Sequence, residues 1–207
     1  MLDTIDAIIF DFGGVLINLD YHRTVNGLSA LRRAGLPPLD YRKRTDLAFF
    51  DDYETGNIST EVFRSELRAH LALEGDDATL DAAWNAMILD LPEERIHFLE
   101  QLSQEKRIFL LSNTNALHER YFKAQLQASG QYTRFMALFE AVYFSHHLRL
   151  RKPDPAIFQY VIRKHDLNPV RTLFIDDTQE HVRGAAQTGL QTYHLRYGKE
   201  TILDVLG

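Results

Sequence analysis

The stretch Ile8-Ile9-Phe10-Asp11-Phe12-Gly13-Gly14-Val15-Leu16 decides how the rest of the chain is read. An apolar run of β-branched and aromatic residues ends in a carboxylate, and two glycines follow at once. Such a run is the pattern of a strand buried on both faces, as in parallel sheets. Asp11 then stands at the carboxyl end of the strand, where open α/β sheets place their ligand crevices. Gly13 and Gly14 allow a sharp turn and bring backbone close to a bound ion. Alone, the stretch reads equally well as a buried strand followed by a turn that Asp11 caps. Three later stretches decide between the two.

Composition sets the outer bounds. The 207 residues are 45% hydrophobic and 25% charged, the balance of a globular protein with a sizeable core. A net charge of −6 with no basic block argues against a nucleic-acid partner held by phosphate neutralisation. No apolar run reaches bilayer-spanning length and no basic segment leads into an apolar signal region, so no membrane partner is expected and the expected setting is the cytoplasm. Without cysteine there are no disulfides, thiolate ligands or cysteine nucleophiles.

After a short extended return over 16–20, the character changes. Val25, Leu28, Leu31 and Leu36 mark one amphipathic helix, stopped by Gly35 and Pro37-Pro38. A second helix is expected from Asp40 to about Tyr53. Ser59 caps a third, with Val62, Phe63, Leu67 and Leu71 as its apolar stripe. A fourth runs near Ala78 to Leu89, with Leu80, Trp84, Met87 and Ile88 facing inward. From Pro92 onward helices alternate with strands at Ile108–Leu111, Ala141–Phe144, Thr172–Ile175 and Gln191–Leu195. The expected fold is α/β, a doubly wound parallel sheet with an inserted helical bundle. Its discontinuous core covers 1–20 and 90–207, and the bundle covers 21–89.

Four polar groups fall just beyond strand ends or at helix starts: Asp11, Ser112-Asn113, Lys152 and Asp176-Asp177. Several carboxylates in one place call for a hard cation, and oxygen-only ligation with an open face suits Mg²⁺. Lys152 supplies a point charge for Asp11 or a phosphoryl oxygen. Ser112 and the N–H groups of the turn after it offer hydrogen bonds to two further oxygens. Metal, lysine and hydroxyl around one phosphorus give the charge stabilisation of phosphoryl transfer, with Asp11 as nucleophile. Each residue also has a plain structural reading. Ser112 could cap a helix, Lys152 could be a solvated loop charge, and the aspartate pair could favour a helix dipole. One phosphoryl site explains all the positions together.

Four motifs carry a resemblance over essentially the whole chain: FDFGGVL from Phe10, LLSNTN from Leu110, RKPDPAIF from Arg151 and FIDDTQEHVRGA from Phe174. With them the sequence resembles the haloacid dehalogenase-like (HAD) hydrolases, in the subgroup with a helical cap inserted after the first motif. YETGNISTEVF from Tyr53 and SNTNALH ending at His118 resemble bacterial sugar-phosphate phosphatases of this group, glucose 1-phosphate enzymes included. The resemblance implies a Mg²⁺ site made by Asp11, the Gly13 carbonyl and Asp176, with Asp177 assisting. It implies phosphate binding by Ser112 and Asn113, and a nucleophile oriented by Lys152. The implied substrate is a small phosphate ester, turned over by a monomer or dimer.

Gly13 departs from the family pattern, which usually has a second aspartate there to protonate the leaving group. That acid typically contributes about 10²–10⁴-fold, so leaving groups that depart easily are the ones expected to be favoured. His118 is an alternative proton source. Rival readings are a dehalogenase, which the same family contains, a receiver domain, and a catalytically weak phosphate-binding protein. Gly13 and the Asp176-Asp177 pair fit a dehalogenase poorly. A receiver domain would be shorter and carry its acidic pair before the nucleophile. His146-His147 are expected on opposite faces of a strand, which would keep them from sharing a ligand.

Overall fold

The computed structural model describes residues 2–37, 39 and 47–207. Five parallel strands form one sheet: β1 (Ala7–Phe10), β2 (Arg107–Ser112), β3 (Ala141–Phe144), β4 (Thr172–Asp176) and β5 (Gln191–His194), in the order β3-β2-β1-β4-β5. The apolar run Ile8-Ile9-Phe10 lies in β1, the central strand. Its residues pair with β2 from Ala7↔Arg107 to Phe10↔Leu110 and with β4 from Ala7↔Thr172 to Phe10↔Ile175.

Side chains leave a strand alternately to its two faces. Ile8 and Phe10 accordingly join one core cluster with Ile108, Leu110, Leu173 and Ile175, while Ala7 and Ile9 join another with Phe109, Leu111 and Phe174. The first cluster takes in α5 (Glu93–Glu105), α6 (Ala116–Ala128), α7 (Tyr132–Met136) and α11 (Ile202–Leu206). The second takes in α9 (Pro155–Lys164) and α10 (Gln179–Ala186). Both faces are covered, which is why these strands lack polar alternation.

Between β1 and α5 lie α1 (Tyr21–Ala30), α2 (Ala48–Glu54), α3 (Thr60–Leu71) and α4 (Asp77–Asn85). Asp20, Ser59 and Asp76 cap α1, α3 and α4 through their side-chain oxygens. A third cluster, with Leu28, Phe49, Tyr53, Phe63, Leu67, Leu80 and Trp84, fills this bundle and also receives Leu117 from α6. The chain enters and leaves the bundle side by side: Asn18 N–H donates to Asp90 O (2.9 Å), Leu89 N–H to Asn18 O (3.0 Å) and Asp20 N–H to Met87 O (2.8 Å).

Several boundaries differ from the sequence expectation. α1 ends at Ala30, and Leu36 is exposed beyond it. Val62 faces solvent, because the buried stripe of α3 is carried by Phe63 and Leu67 alone. α4 stops at Asn85, and Met87 and Ile88 pack into the first core cluster instead of the bundle. α2 starts at Ala48, and the expected helical residues 40–46 lie outside those described. His146 and His147 do not continue β3; they sit on a helical turn, α8 (Ser145–Leu148), that begins where the strand ends.

Candidate active site

Asp11, Ser112 and Asp176 sit at or just past the carboxyl ends of β1, β2 and β4, and parallel pairing puts all three ends on one edge. Lys152 enters from the loop before α9 and is fully buried. Its ammonium donates to Asp11 Oδ1 (2.7 Å), Asp176 Oδ2 (2.6 Å) and the Leu111 carbonyl (2.9 Å), a contact for each of its three hydrogens. A solvated loop charge is therefore excluded. Burial favours the neutral amine, but the Asp11 and Asp176 charges outweigh it and raise the pKa of Lys152.

One oxygen each from Asp11, Asp176 and Asp177 can be chosen so that all lie within 4.8 Å of one another. Burial, opposed by Lys152 and reinforced by Asp176, pushes the Asp11 carboxyl up to about 6. Burial, then the charges of Asp11 and Asp176, pushes Asp177 up to about 7. Asp176 also pays for burial, yet Lys152 and His181 hold it below the usual range. When all three carboxyls are ionised, one ammonium leaves two negative charges uncompensated. That donor set fits a hard divalent cation.

The turn after β1 is shaped to this purpose. Gly14 has φ 73°, and a Cβ there would lie 2.2 Å from Asp177 Oδ2, so both the backbone angle and the carboxylate require glycine. The Gly14 N–H donates to Ile17 O at 2.9 Å, while the Gly13 carbonyl accepts none of the hydrogen bonds described. It remains available to a cation.

Asn115 accepts from His118 N–H at 3.0 Å and so caps α6, which removes helix capping as the reason for Ser112. Asn113 makes a reciprocal clamp: its Nδ2 donates to Lys152 O (2.8 Å) and its Oδ1 accepts from Lys152 N–H (2.9 Å). The Asn113 side-chain amide is thus committed to the lysine loop. His181 was not singled out from sequence. Its Nδ1 lies 3.0 Å from Asp176 Oδ1, one turn into α10. Its place five residues after Asp176, on the first turn of the helix that follows, was the signal available.

A cavity of about 490 Å³ opens above these groups. Asp11, Ser112 and Asp177 line its floor, and Leu19, Tyr21, Phe50, Trp84 and Met87 line the side toward the bundle. His118 lines it too, with Nδ1 2.9 Å from Asn85 Oδ1 and its ring stacked on Trp84 at 5.0 Å. Arg151 ties floor to roof through Asp51 (3.0 Å) and Glu54 (2.9 Å) of α2. Tyr53 OH accepts from Leu117 N–H at 3.2 Å, a further tie of α2, here to α6.

A parallel sheet with this carboxylate and lysine cluster at its carboxyl edge defines a hydrolase of the haloacid dehalogenase-like family. The family model matches residues 5–189, and the chain belongs to that family. D-ribitol-5-phosphate phosphatase of Bacteroides thetaiotaomicron is 26% identical over 198 residues, spanning 95% of this chain and 94% of that protein. A protein named as a phosphatase from Mycobacterium tuberculosis is 26% identical over 196 residues, or 92% and 87% of the two chains. Among solved structures, a Bacteroides thetaiotaomicron HAD family enzyme in complex with magnesium and inorganic phosphate superposes with TM-score 0.81. It is 29% identical and covers 95% of this chain and 96% of its own.

Proposed function

We propose that this protein is a Mg²⁺-dependent phosphatase acting on the monophosphate of a small polyhydroxylated metabolite, a sugar or sugar alcohol. The observation that carries the reading is the buried meeting of Asp11, Asp176 and Asp177 with Lys152 beneath a cavity of metabolite size. The phosphatase names of the relatives and the magnesium and phosphate bound by the structural neighbour support it. In this reading 1–20 and 90–207 are the catalytic core, and 21–89 is a cap that supplies the substrate wall.

Asp11, Asp176, Asp177 and the Gly13 carbonyl would hold Mg²⁺, which when bound neutralises charge on the phosphoryl oxygens. Lys152 fixes the Asp11 carboxylate and adds positive charge beside it. Ser112 Oγ and the backbone N–H groups of 113 and 114 donate to the phosphoryl group. An Asp11 oxygen attacks phosphorus, the ester P–O bond breaks, and the leaving oxygen takes a proton from water in the cavity. Water then attacks the phosphorus of the aspartyl-phosphate, releasing inorganic phosphate and restoring Asp11. The aromatic side of the cavity would stack on the sugar or polyol. Arg151 is the only lysine or arginine among the described residues lining the cavity, and it is already paired, which favours substrates with a single phosphoryl group.

A panel of phosphate esters tests this, with anomeric sugar, primary sugar-alcohol and aryl phosphates assayed with and without Mg²⁺. Mg²⁺-dependent phosphate release from sugar or sugar-alcohol monophosphates is the expected result. Release of halide from a haloacid without metal, and no phosphate from any ester, would replace it with the dehalogenase reading.

A further inference from the structure

A second convergence of donor atoms stands at the end of β3, and none of its residues lines the cavity. Glu119, in the first turn of α6, is approached at one oxygen by two rings: His146 Nε2 lies 2.8 Å and His147 Nε2 3.0 Å from Glu119 Oε2. A strand would aim consecutive side chains to opposite faces. The helical turn Ser145–Leu148 brings both rings to one side, with centroids 4.2 Å apart. We propose that Glu119, His146 and His147 form a second metal site, for a Zn²⁺-type ion, separate from the carboxylate cluster around Asp11.

Two imidazole nitrogens and one carboxylate oxygen suit Zn²⁺ and its late first-row neighbours, whereas Mg²⁺ demands oxygen ligands. Tetrahedral bonds of about 2.0–2.2 Å put ligand atoms roughly 3.4 Å apart. The present separations therefore need an outward movement of roughly half an ångström to admit the ion. Each ring would ligate as neutral imidazole through Nε2, with its hydrogen on Nδ1. His146 Nδ1 is buried with no partner, so it can carry the ring hydrogen while Nε2 ligates, without the second hydrogen bond that usually steadies a ligating ring. The His147 side chain is 58% exposed, which leaves the fourth position open to water. The placement gives the ion a structural consequence. Glu119 directly follows cavity-lining His118, and a Cβ on Gly56 of the bundle would lie only 2.4 Å from the His146 carbonyl. An ion here braces the junction where bundle and sheet meet.

The test uses the whole chain, stripped of metal and then saturated with Mg²⁺ so that the carboxylate cluster is filled. Zn²⁺ is titrated calorimetrically and Co²⁺ by visible absorption. Wild type is expected to bind one more equivalent of Zn²⁺ than His147→Ala, or to bind it at least roughly tenfold more tightly. Its Co²⁺ complex should show a tetrahedral absorption that His147→Ala lacks and Glu119→Gln weakens. Because His147 is exposed, its replacement leaves the fold intact, and circular dichroism verifies this. Zn²⁺ binding with unchanged stoichiometry and affinity in His147→Ala, or no Zn²⁺ bound by wild type over saturating Mg²⁺, overturns the proposal.

Discussion

Gly13 and Leu19 share the space in which the family's usual leaving-group acid would stand. A Cβ on Gly13 would meet Leu19 Cδ1 at 2.8 Å, and the φ of Gly13 is not positive, so only a movable leucine methyl opposes a side chain there. Gly13→Asp should therefore fold with a rotamer change at Leu19, and more easily in a Leu19→Ala background. Its gain should fall mainly on primary alkyl phosphates, up to about 10²–10⁴-fold, with little change for aryl phosphates. Single-turnover rates on the two ester types check this. Equal wild-type rates on both would mean that another group already delivers the proton, with His118 the next residue to replace. Gly14 behaves oppositely, since its positive φ and the nearby Asp177 oxygen leave no room for any side chain. Roles at this scale were legible only in part. Asp11, Lys152 and Asp176 meet as their positions beyond strand ends or near a helix start suggest, while the Asn113 clamp and the His181 contact depend on loop geometry that no residue spacing encodes.

The helix α10 carries His181, which contacts Asp176, and packs against the loop that holds Lys152. Gly184 lies within it, and a Cβ there would sit 2.1 Å from the Pro153 carbonyl, backbone that cannot step aside cheaply. Gly184→Ala should push the 152–154 loop away and move Lys152 off Asp11. The expected cost is about 1–3 kcal/mol of stability, despite the better helix propensity of alanine, together with a fall in turnover. Denaturant unfolding and steady-state rates measure both; an unchanged or raised stability would contradict this packing. Elements were the most readable level of the chain. The central strands β1, β2 and β4 appear where continuous apolar runs sit, because strands buried on both faces leave no other pattern, whereas the edge strand β5 (Gln191–His194) is polar and half-exposed. The bundle was less readable. Its short helices break where tertiary contacts end them, as Met87 and Ile88 leave α4 to pack on the sheet. At His146-His147, continuing the strand pattern three residues past Phe144 hid the convergence on Glu119.

For the molecule as a whole, the cluster beneath the cavity makes stability, metal and pH interdependent. Asp11, raised to about 6, and Asp177, raised to about 7, hold protons that an unfolded chain releases near 3.8. Their contribution to the metal-free fold is thus fully present below about pH 4 and lost as the pH climbs through about 6–7. At the proposed site Mg²⁺ would take the place of those protons, so it should raise Tm more at about pH 8 than at about pH 5. Thermal unfolding with and without Mg²⁺ at the two pH values tests this, and equal shifts would place the ion elsewhere. The ties from Arg151 to Asp51 and Glu54 are partly exposed, so they fix the position of α2 more than they add stability.

The central claim is that Asp11 carries the phosphoryl group, and the most direct measurement is to trap it there. Enzyme mixed with a ³²P-labelled ester and Mg²⁺, quenched in acid within one turnover, should hold hydroxylamine-labile phosphate on the peptide containing Asp11. The Asp11→Asn protein should fold, trap nothing and turn over at background rate. Steady phosphate release with no labile phosphate on that peptide, and with Asp11→Asn still active, would contradict the account.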